Sequence, residues 1–332
     1  MWSYLLGRLV QLVPTFLGAT LLAFVVIQLA PGDFVTRLEI DPSQDRESIQ
    51  LLRERFGLDQ PVTVQYAKWL SGIAQGYLGL SLSYQTDVSS VIWPRILNSM
   101  VVVLLALAIT FAVAIPVGVY SAVHKYSPAD RLLTLGAFFG LAIPNFFFGL
   151  ILLFFAVWLN DVAGWKVLPI GGMTSEFIGG RPYLEAPFLA RVWDVLWHAA
   201  PVVLVTALAG MAGLVRVMRG QMLDVLSQDF IRTGRAKGLA ERLVIYKHAL
   251  RNAVIPIVAG LGFLLPGLVA GAGLVESVMA WPGITPLLLE AIAATDIYVV
   301  MGFITITTLL LMLGNLLSDL LLAWVDPRIR YN

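Results

Sequence analysis

The residues of this chain that could do chemistry fall into two groups. The first is cationic and runs from Arg216 to Arg251. Eight Lys or Arg (Arg216, Arg219, Arg232, Arg235, Lys237, Arg242, Lys247, Arg251) stand there against Asp224, Asp229 and Glu241, a net of +5. Such a cluster suits the recognition of anionic surfaces, lipid or protein. The second group is Asn315, Ser318 and Asp319 in an otherwise apolar run. Their i, i+3, i+4 spacing puts all three on one helical face. A carboxylate in mid-bilayer costs about 2.5–3.5 kcal/mol on insertion scales. Asp319 therefore reads either as a polar contact between helices or as part of a transport site. A single acid with no other charge inside the apolar runs makes a poor proton relay.

Nucleotide, metal and nucleophile chemistry find no matching pattern. The sequence has no Gly-x-x-x-x-Gly-Lys-Ser/Thr loop to cradle phosphates. Cysteine is absent, which excludes thiolate nucleophiles and Cys-ligated metals. His124, His198 and His248 are far apart and lack partners at metal spacing, so each reads as a surface or interfacial residue. Neither Gly-x-Ser-x-Gly nor His-Glu-x-x-His occurs. The chain is expected to be no enzyme and to bind no cofactor or metal itself.

The elements that position these residues are membrane helices. Of 332 residues, 58% are hydrophobic and 13% charged, against about 25% charged in a soluble domain. Six apolar runs approach the roughly 20 residues that cross a bilayer: 9–30, 99–120, 133–158, 199–215, 253–275 and 298–324. In lipid the backbone must satisfy itself within each segment, so the expected fold is all-α, integral to the membrane, with six transmembrane helices. Arg8 precedes the first run without a cleavage signal, so that run reads as a retained span. Pro144 and Pro266 are expected to bend their spans. Gly260, Gly262, Gly267, Gly271 and Gly273 crowd the fifth. Gly267-xxx-Gly271 permits close helix approach, or a substrate path free of side chains.

The connecting segments alternate in net charge along the chain: +1, −2, +1, −1, +5, −3, +1. By the positive-inside rule both termini and the basic loop face the cytoplasm. The organisation that follows is residues 1–30 as N-terminal end and first helix, 31–97 as an extracytoplasmic helical insertion, 98–326 as a five-helix core with cytoplasmic loop 216–252, and 327–332 as tail. The insertion begins with Pro31-Gly32 and holds two amphipathic helical pieces, 46–56 and 62–73, either a cap over helix ends or a dock for an external partner. The basic loop reads as two short helices. Ser227 caps the first, Asp229 lies near its positive end, and Gly238 stops it. The second starts near Glu241. Phe230, Ile231 and Leu239 remain as apolar anchors. A solvated topology signal explains the charges but not the anchors or the helix–Gly–helix layout.

The run Phe230-Ile-Arg-Thr-Gly-Arg-Ala-Lys-Gly-Leu239, followed by His248-Ala-Leu-Arg-Asn-Ala-Val-Ile-Pro256, resembles the cytoplasmic-loop motif of permease subunits of ATP-binding-cassette importers in the dipeptide/oligopeptide/nickel family. Tyr4-Leu-Leu-Gly-Arg8, Leu29-Ala-Pro-Gly-Asp33, Phe56-Gly-Leu-Asp-Gln-Pro61, Glu276-Ser-Val-Met-Ala-Trp-Pro-Gly283 and Asp326-Pro-Arg-Ile-Arg330 extend the resemblance over almost the whole chain. Gly234, Ala240, Tyr77, Met279 and Leu322 depart from the family's usual Ala, Ser, Asp, Phe and Tyr. The resemblance implies a type I importer permease fold in the bacterial or archaeal plasma membrane. It implies a coupling helix formed by Phe230, Ile231, Arg232, Thr233, Arg235, Ala236, Lys237, Gly238 and Leu239. The implied partners are two cytoplasmic ATPase subunits carrying ATP and Mg, a second permease subunit in a heterodimer, and an extracytoplasmic solute-binding protein, with surrounding lipid and no nucleic acid. Gly260, Gly267, Gly271, Asn315 and Asp319 would line the translocation path or pack helices. The cargo would be peptides or related small solutes. The alternatives are nickel or another solute, a carrier driven by an ion gradient, or a non-transporting membrane scaffold.

Overall fold

The computed structural model describes residues 2–29, 46–263, 267 and 272–325. Helix α1 (Trp2–Gln28) is followed by α2 (Arg46–Phe56) and α3 (Val62–Ala74), at the two places where amphipathic pieces are predicted. Next come α4 (Val88–Val123), α5 (Pro128–Ala142) and α6 (Asn145–Ala163). A two-residue hairpin pairs Phe177 with Pro182 and Ile178 with Arg181. Its turn is Gly179-Gly180, both at positive φ as such a tight turn requires. Helix α7 (Phe188–Leu226) leads to the basic loop and α8 (Asp229–Ala236). A broken helical run follows: α9 (Glu241–Leu243), a π-helical turn at Val244–Ala249, α10 (Leu250–Ala253) and α11 (Ile255–Ala259). The chain closes with α12 (Leu274–Val278), α13 (Ile284–Ala293) and α14 (Ile297–Val325).

The most extensive helix contact is between α4 and α7. Its cause is a stripe of small residues on α4: Ala106, Thr110, Ala114, Gly118 and Ala122, one every four positions and all buried. Small side chains let two backbones approach closely where lipid gives no hydrophobic drive. A Cβ on Gly118 would lie 2.6 Å from Met218 Cβ and 3.1 Å from the Val215 carbonyl. Thr110 Oγ1 donates to the Ala207 carbonyl at 3.3 Å across the same seam. An added Cβ on Gly260 or Gly267 meets nothing within 4 Å, and Gly271 lies outside the described residues.

Four of the expected spans change. At about 1.5 Å per residue, α4 and α7 reach roughly 54 and 58 Å, far beyond about 30 Å of hydrocarbon. Runs 99–120 and 199–215 are only their apolar middles. Helix α4 runs through the polar turn at Trp93–Arg95 despite Pro94, which cannot donate to the ladder, and α7 runs on through Arg216–Asp224. Run 133–158 is two helices, α5 and α6, not one bent span. Pro144 disfavours a helical Ile143, which is extended (φ −100°, ψ 129°) and ends α5. Among the described residues, five helices are long and apolar enough to cross a membrane: Val10–Gln28, Val88–Val123, Asn145–Ala163, Phe188–Leu226 and Ile297–Leu317. Run 253–275 is not among them. Its described part is broken into short helical pieces, and 264–266 (with Pro266) and 268–271 lie outside the described residues, as do Pro31-Gly32 and the tail 327–332.

The Val88 end of the bundle is held by two fully buried carboxylates, Glu276 and Asp296. Glu276 accepts from the backbone N–H of Ala272 at 3.0 Å and of Thr285 at 3.1 Å. Asp296 accepts from Ser81 Oγ at 2.6 Å and from the N–H of Ser83 at 3.0 Å. Counted as loop charges in the sequence, both are interior acceptors that close loops onto α4 and α14. Beside them Trp281 is fully buried and donates from Nε1 to the Asn98 carbonyl at 3.1 Å.

The α4–α7 seam yields a test. Gly118→Ala should destabilise by about 1–3 kcal/mol through overpacking, lowering the thermal midpoint in detergent. Gly213→Ala, where an added Cβ meets nothing within 4 Å, should leave that midpoint unchanged or raise it.

Candidate functional site: the loop helix and its latch

Helix α8 is shaped by its ends. Gln228 takes the extended N-cap conformation (φ −77°, ψ 153°) without a side-chain bond. Ser227, the expected cap, instead terminates α7, and its Oγ donates back to the Asp224 carbonyl at 2.8 Å. The reason is the unexpected length of α7, which carries its last turn up to Ser227. Asp229 sits in the first turn as expected, 3.6 Å from Arg232, and both side chains are largely exposed. At the other end Gly238 adopts φ +74°. Its N–H donates to the Arg235 carbonyl at 2.9 Å, and that of Leu239 to the Gly234 carbonyl at 3.3 Å. These paired bonds satisfy the last carbonyls and demand a left-handed residue, which glycine supplies.

Over this turn Arg235 forks onto Glu241, Nη2 to Oε1 at 2.6 Å and Nε to Oε2 at 3.1 Å. Both groups are about half exposed, so the pair fixes the angle between α8 and α9 more than it adds stability. Ala240 holds the N-cap of α9 and offers no side-chain acceptor.

The three apolar anchors of the sequence reading separate. Ile231 is fully buried in the cluster that also holds Val119, Met218, Met222, Val244 and Ile245, so α8 shares one core with the ends of α4 and α7. Phe230 and Leu239 are 42% and 37% exposed, and Tyr246 is 60% exposed. Arg232, Thr233, Ala236 and Lys237 are exposed as well. The outward face of the loop is therefore apolar rings and aliphatics set among cations.

Directly behind lies a joint that the sequence reading missed. Asp130 is 2% exposed at the start of α5. Arg219 on α7 donates to it from Nε at 2.8 Å and Nη2 at 2.9 Å. Ser121 Oγ on α4 donates to the same carboxylate, and the N–H of Tyr126 does so at 2.8 Å. Ser127 caps α5 by accepting from the Asp130 N–H at 3.1 Å. One carboxylate thus binds three helix ends. Arg219 chiefly, with Ser121 and the Tyr126 N–H, holds its carboxyl well below the usual carboxylate range despite burial. The signal was present as Ser127-Pro-Ala-Asp130, a serine before a helix with an acid three residues on, but Asp130 and Arg219 had been counted only as loop charges.

Asn315 and Asp319 lie on α14, exposed and half-buried respectively. Helix α14 packs on α1 and on the 255–263 segment that contains Gly260. His198, expected at a surface or interface, is buried. It meets Trp197 edge-on at 4.8 Å, with Nδ1 2.8 Å from the Asp194 carbonyl. Among the described residues no cluster of His, Asp or Glu could hold a metal.

Removing Asp130 strands the Arg219 guanidinium, so Asp130→Asn should cost about 3 kcal/mol. A depressed carboxyl contributes stability above its unfolded pKa of about 3.9 and loses it as pH falls further. The stability gap between wild type and Asp130→Asn should hold from pH 8 to 5 and shrink below about pH 4, read from unfolding midpoints. Gly234→Ala should stabilise α8 by up to about 1 kcal/mol, since the new Cβ would sit 3.6 Å from Leu239 Cδ1, an ordinary contact.

Comparison with known proteins bears on the whole chain. Residues 114–331 match the family model of the binding-protein-dependent transport system inner membrane component, and residues 1–84 match its N-terminal membrane component model. The chain is 39% identical over 332 residues to the oligopeptide transport system permease protein AppB of Bacillus subtilis, covering all of both chains. It is 35% identical over 344 residues to the dipeptide transport system permease protein DppB of Escherichia coli, covering 100% of this chain and 99% of that one. The di/tripeptide permease DppB of Pseudomonas aeruginosa is 33% identical over 348 residues, with 100% and 99% covered. With matches at this level from end to end, the chain belongs to the family of inner membrane components of binding-protein-dependent transport systems.

Proposed function

We propose that this chain is one permease half of an ATP-driven peptide importer, and that α8 is the helix through which partner ATPases move it. The observation that carries the reading is the division of α8 and the turn that ends it into a buried side, Ile231, and an exposed side, Phe230, Arg232, Lys237 and Leu239. A helix clamped to its own bundle on one side and apolar among cations on the other suits a rigid handle seated in a partner's groove. The chain has no phosphate-binding loop, so ATP and Mg would reside on two cytoplasmic ATPase subunits. A second permease subunit would complete the pathway, and an external binding protein would deliver the cargo. The relatives named as peptide permeases support peptides as that cargo. The alternation of loop charge supports both termini lying in the cytoplasm, in a plasma membrane.

The mechanism is mechanical. Closure of the ATPase pair draws α8 with it. Ile231 and the Asp130–Arg219 joint transmit this displacement to the ends of α4, α5 and α7 as one body. Because α4 and α7 run the full depth of the fold, their opposite ends move too, which exchanges inward and outward access. Gly260, Gly267 and Gly271, with Asn315 and Asp319, would flank the pathway.

In the reconstituted importer, Phe230→Ala with Arg232→Glu should reduce peptide uptake at least tenfold while ATP hydrolysis continues. Gly238→Val, which forces a branched residue to φ +74°, should do the same. Unchanged uptake in both would refute the assignment of α8. The purified chain alone should show no saturable ATP binding.

A further inference from the structure

A crevice of about 220 Å³ opens between α5 and α7 at the Val123 end of the bundle. Thr134 and Phe138 line it from α5, and Val215, Arg216, Arg219 and Gly220 line it from α7. It sits where the apolar run of α7 gives way to cations. Residues 199–215 carry no charge, and Arg216 and Arg219 follow directly. On the facing helix Leu135 and Phe138 are exposed. The crevice thus straddles the boundary between acyl chains and headgroups. Its volume is below the roughly 300–1,000 Å³ of sites that enclose a whole small molecule. It suits one part of a larger molecule whose remainder lies outside.

The charge of this crevice is positive and uncompensated. The Arg216 side chain is exposed and pairs with no acid among the described residues. Arg219 gives Nε and Nη2 to Asp130, which leaves Nη1 without a hydrogen bond among those residues. Among them no acid lines the crevice: Asp130 is 2% exposed behind Arg219, and the next acid along α7, Asp224, is not part of the wall. Lys125 and Arg131, before and within the first turn of α5, are exposed at the same end. Gly220 keeps the crevice open, since an added Cβ there meets nothing within 4 Å. A small soluble anion would have no use for Phe138 and Val215, and a plain hydrocarbon none for two guanidinium groups. A basic pocket between membrane helices at headgroup level matches a phospholipid, whose phosphate is joined to acyl chains.

We propose that this crevice binds one anionic phospholipid from the leaflet on the side of the basic loop, with Arg216 and Nη1 of Arg219 donating to its phosphate and an acyl chain lying along Val215 and Phe138. The bound lipid would bridge α5 and α7, the helices that the Asp130–Arg219 pair already ties together, and so reinforce that joint from its membrane side.

The test is native mass spectrometry of the purified full chain titrated in detergent with phosphatidylglycerol or with phosphatidylcholine of the same acyl chains. One phosphatidylglycerol per chain should be retained at least fivefold more tightly than phosphatidylcholine. Arg216→Gln removes the exposed guanidinium, and Gly220→Leu fills the crevice without a clash at Cβ. Each should weaken phosphatidylglycerol binding at least fivefold, with no fall in the unfolding midpoint of the lipid-free protein. Arg242→Gln makes the same charge change on α9, outside the crevice, and should leave binding unchanged. Phosphatidylglycerol should raise the unfolding midpoint of the wild type but not of Arg216→Gln. Equal retention of the two lipids, or equal binding by wild type and the Arg216 and Gly220 variants, overturns the proposal. An equal loss in Arg242→Gln reduces the effect to net charge and overturns it too. Displacement of the lipid by excess glycerol phosphate would make this a site for soluble anions, and loss of the lipid on assembly of the importer would make it a subunit contact; either result overturns the assignment to lipid. Retention by the chain alone requires neither ATPases nor uptake, so it succeeds or fails independently of the role of α8.

Discussion

The close approach of α4 and α7 is the constraint on which the rest of the structure depends. It rests on five small residues spaced by four, and it brings Gly118 to Met218 with no room for another methyl group. Membrane helices gain little from hiding apolar surface from one another, because lipid is equally apolar. Backbone proximity and dense packing must supply the association instead. Once these two long helices are fixed, each end of the bundle inherits a defined geometry. At one end the turns that follow α4 and α7 meet α5 and α8. At the other the loops before α13 and α14 fold onto the start of α4.

Buried carboxylates finish both ends, and they do so in the same way. Asp130, Glu276 and Asp296 are each within 2% of complete burial. Each accepts several hydrogen bonds from backbone or side chains of a different element. A carboxylate can accept from several directions at once, so a single residue can hold two or three segments that no hydrophobic contact would orient. At the Val123 end Arg219 also neutralises the charge. The result is a joint behind α8 that ties α4, α5 and α7 together.

The loop helix shows how much of such a site is legible in residue types. Gly238 at the stop, Asp229 in the first turn and the second helix from Glu241 all follow from local rules, because helix ends are governed by a few neighbouring residues. The identity of the cap did not follow. Ser227 and Gln228 are adjacent, and the choice between them depends on where α7 ends, which is set by packing of its last turns on α4 and not by composition. The division of the apolar anchors was equally out of reach. Phe230 and Ile231 are neighbours of similar character, yet one is half exposed and the other sealed.

The sequence by itself determined the class and the outline. Apolar length requires helices in a membrane, and the basic helix–Gly–helix run marks where the loop helix starts and stops. It also carried the family, since motifs in order along the chain survive without knowledge of contacts. Tertiary structure alone decided where the long helices end, that Pro144 splits a span into α5 and α6, and that Asp130 and Arg219 meet although 89 residues apart. The physical reason is range. Hydropathy and capping act over one or two turns, whereas a buried ion pair, a small-residue seam and the exposure of one side chain depend on which distant segment comes to rest against it.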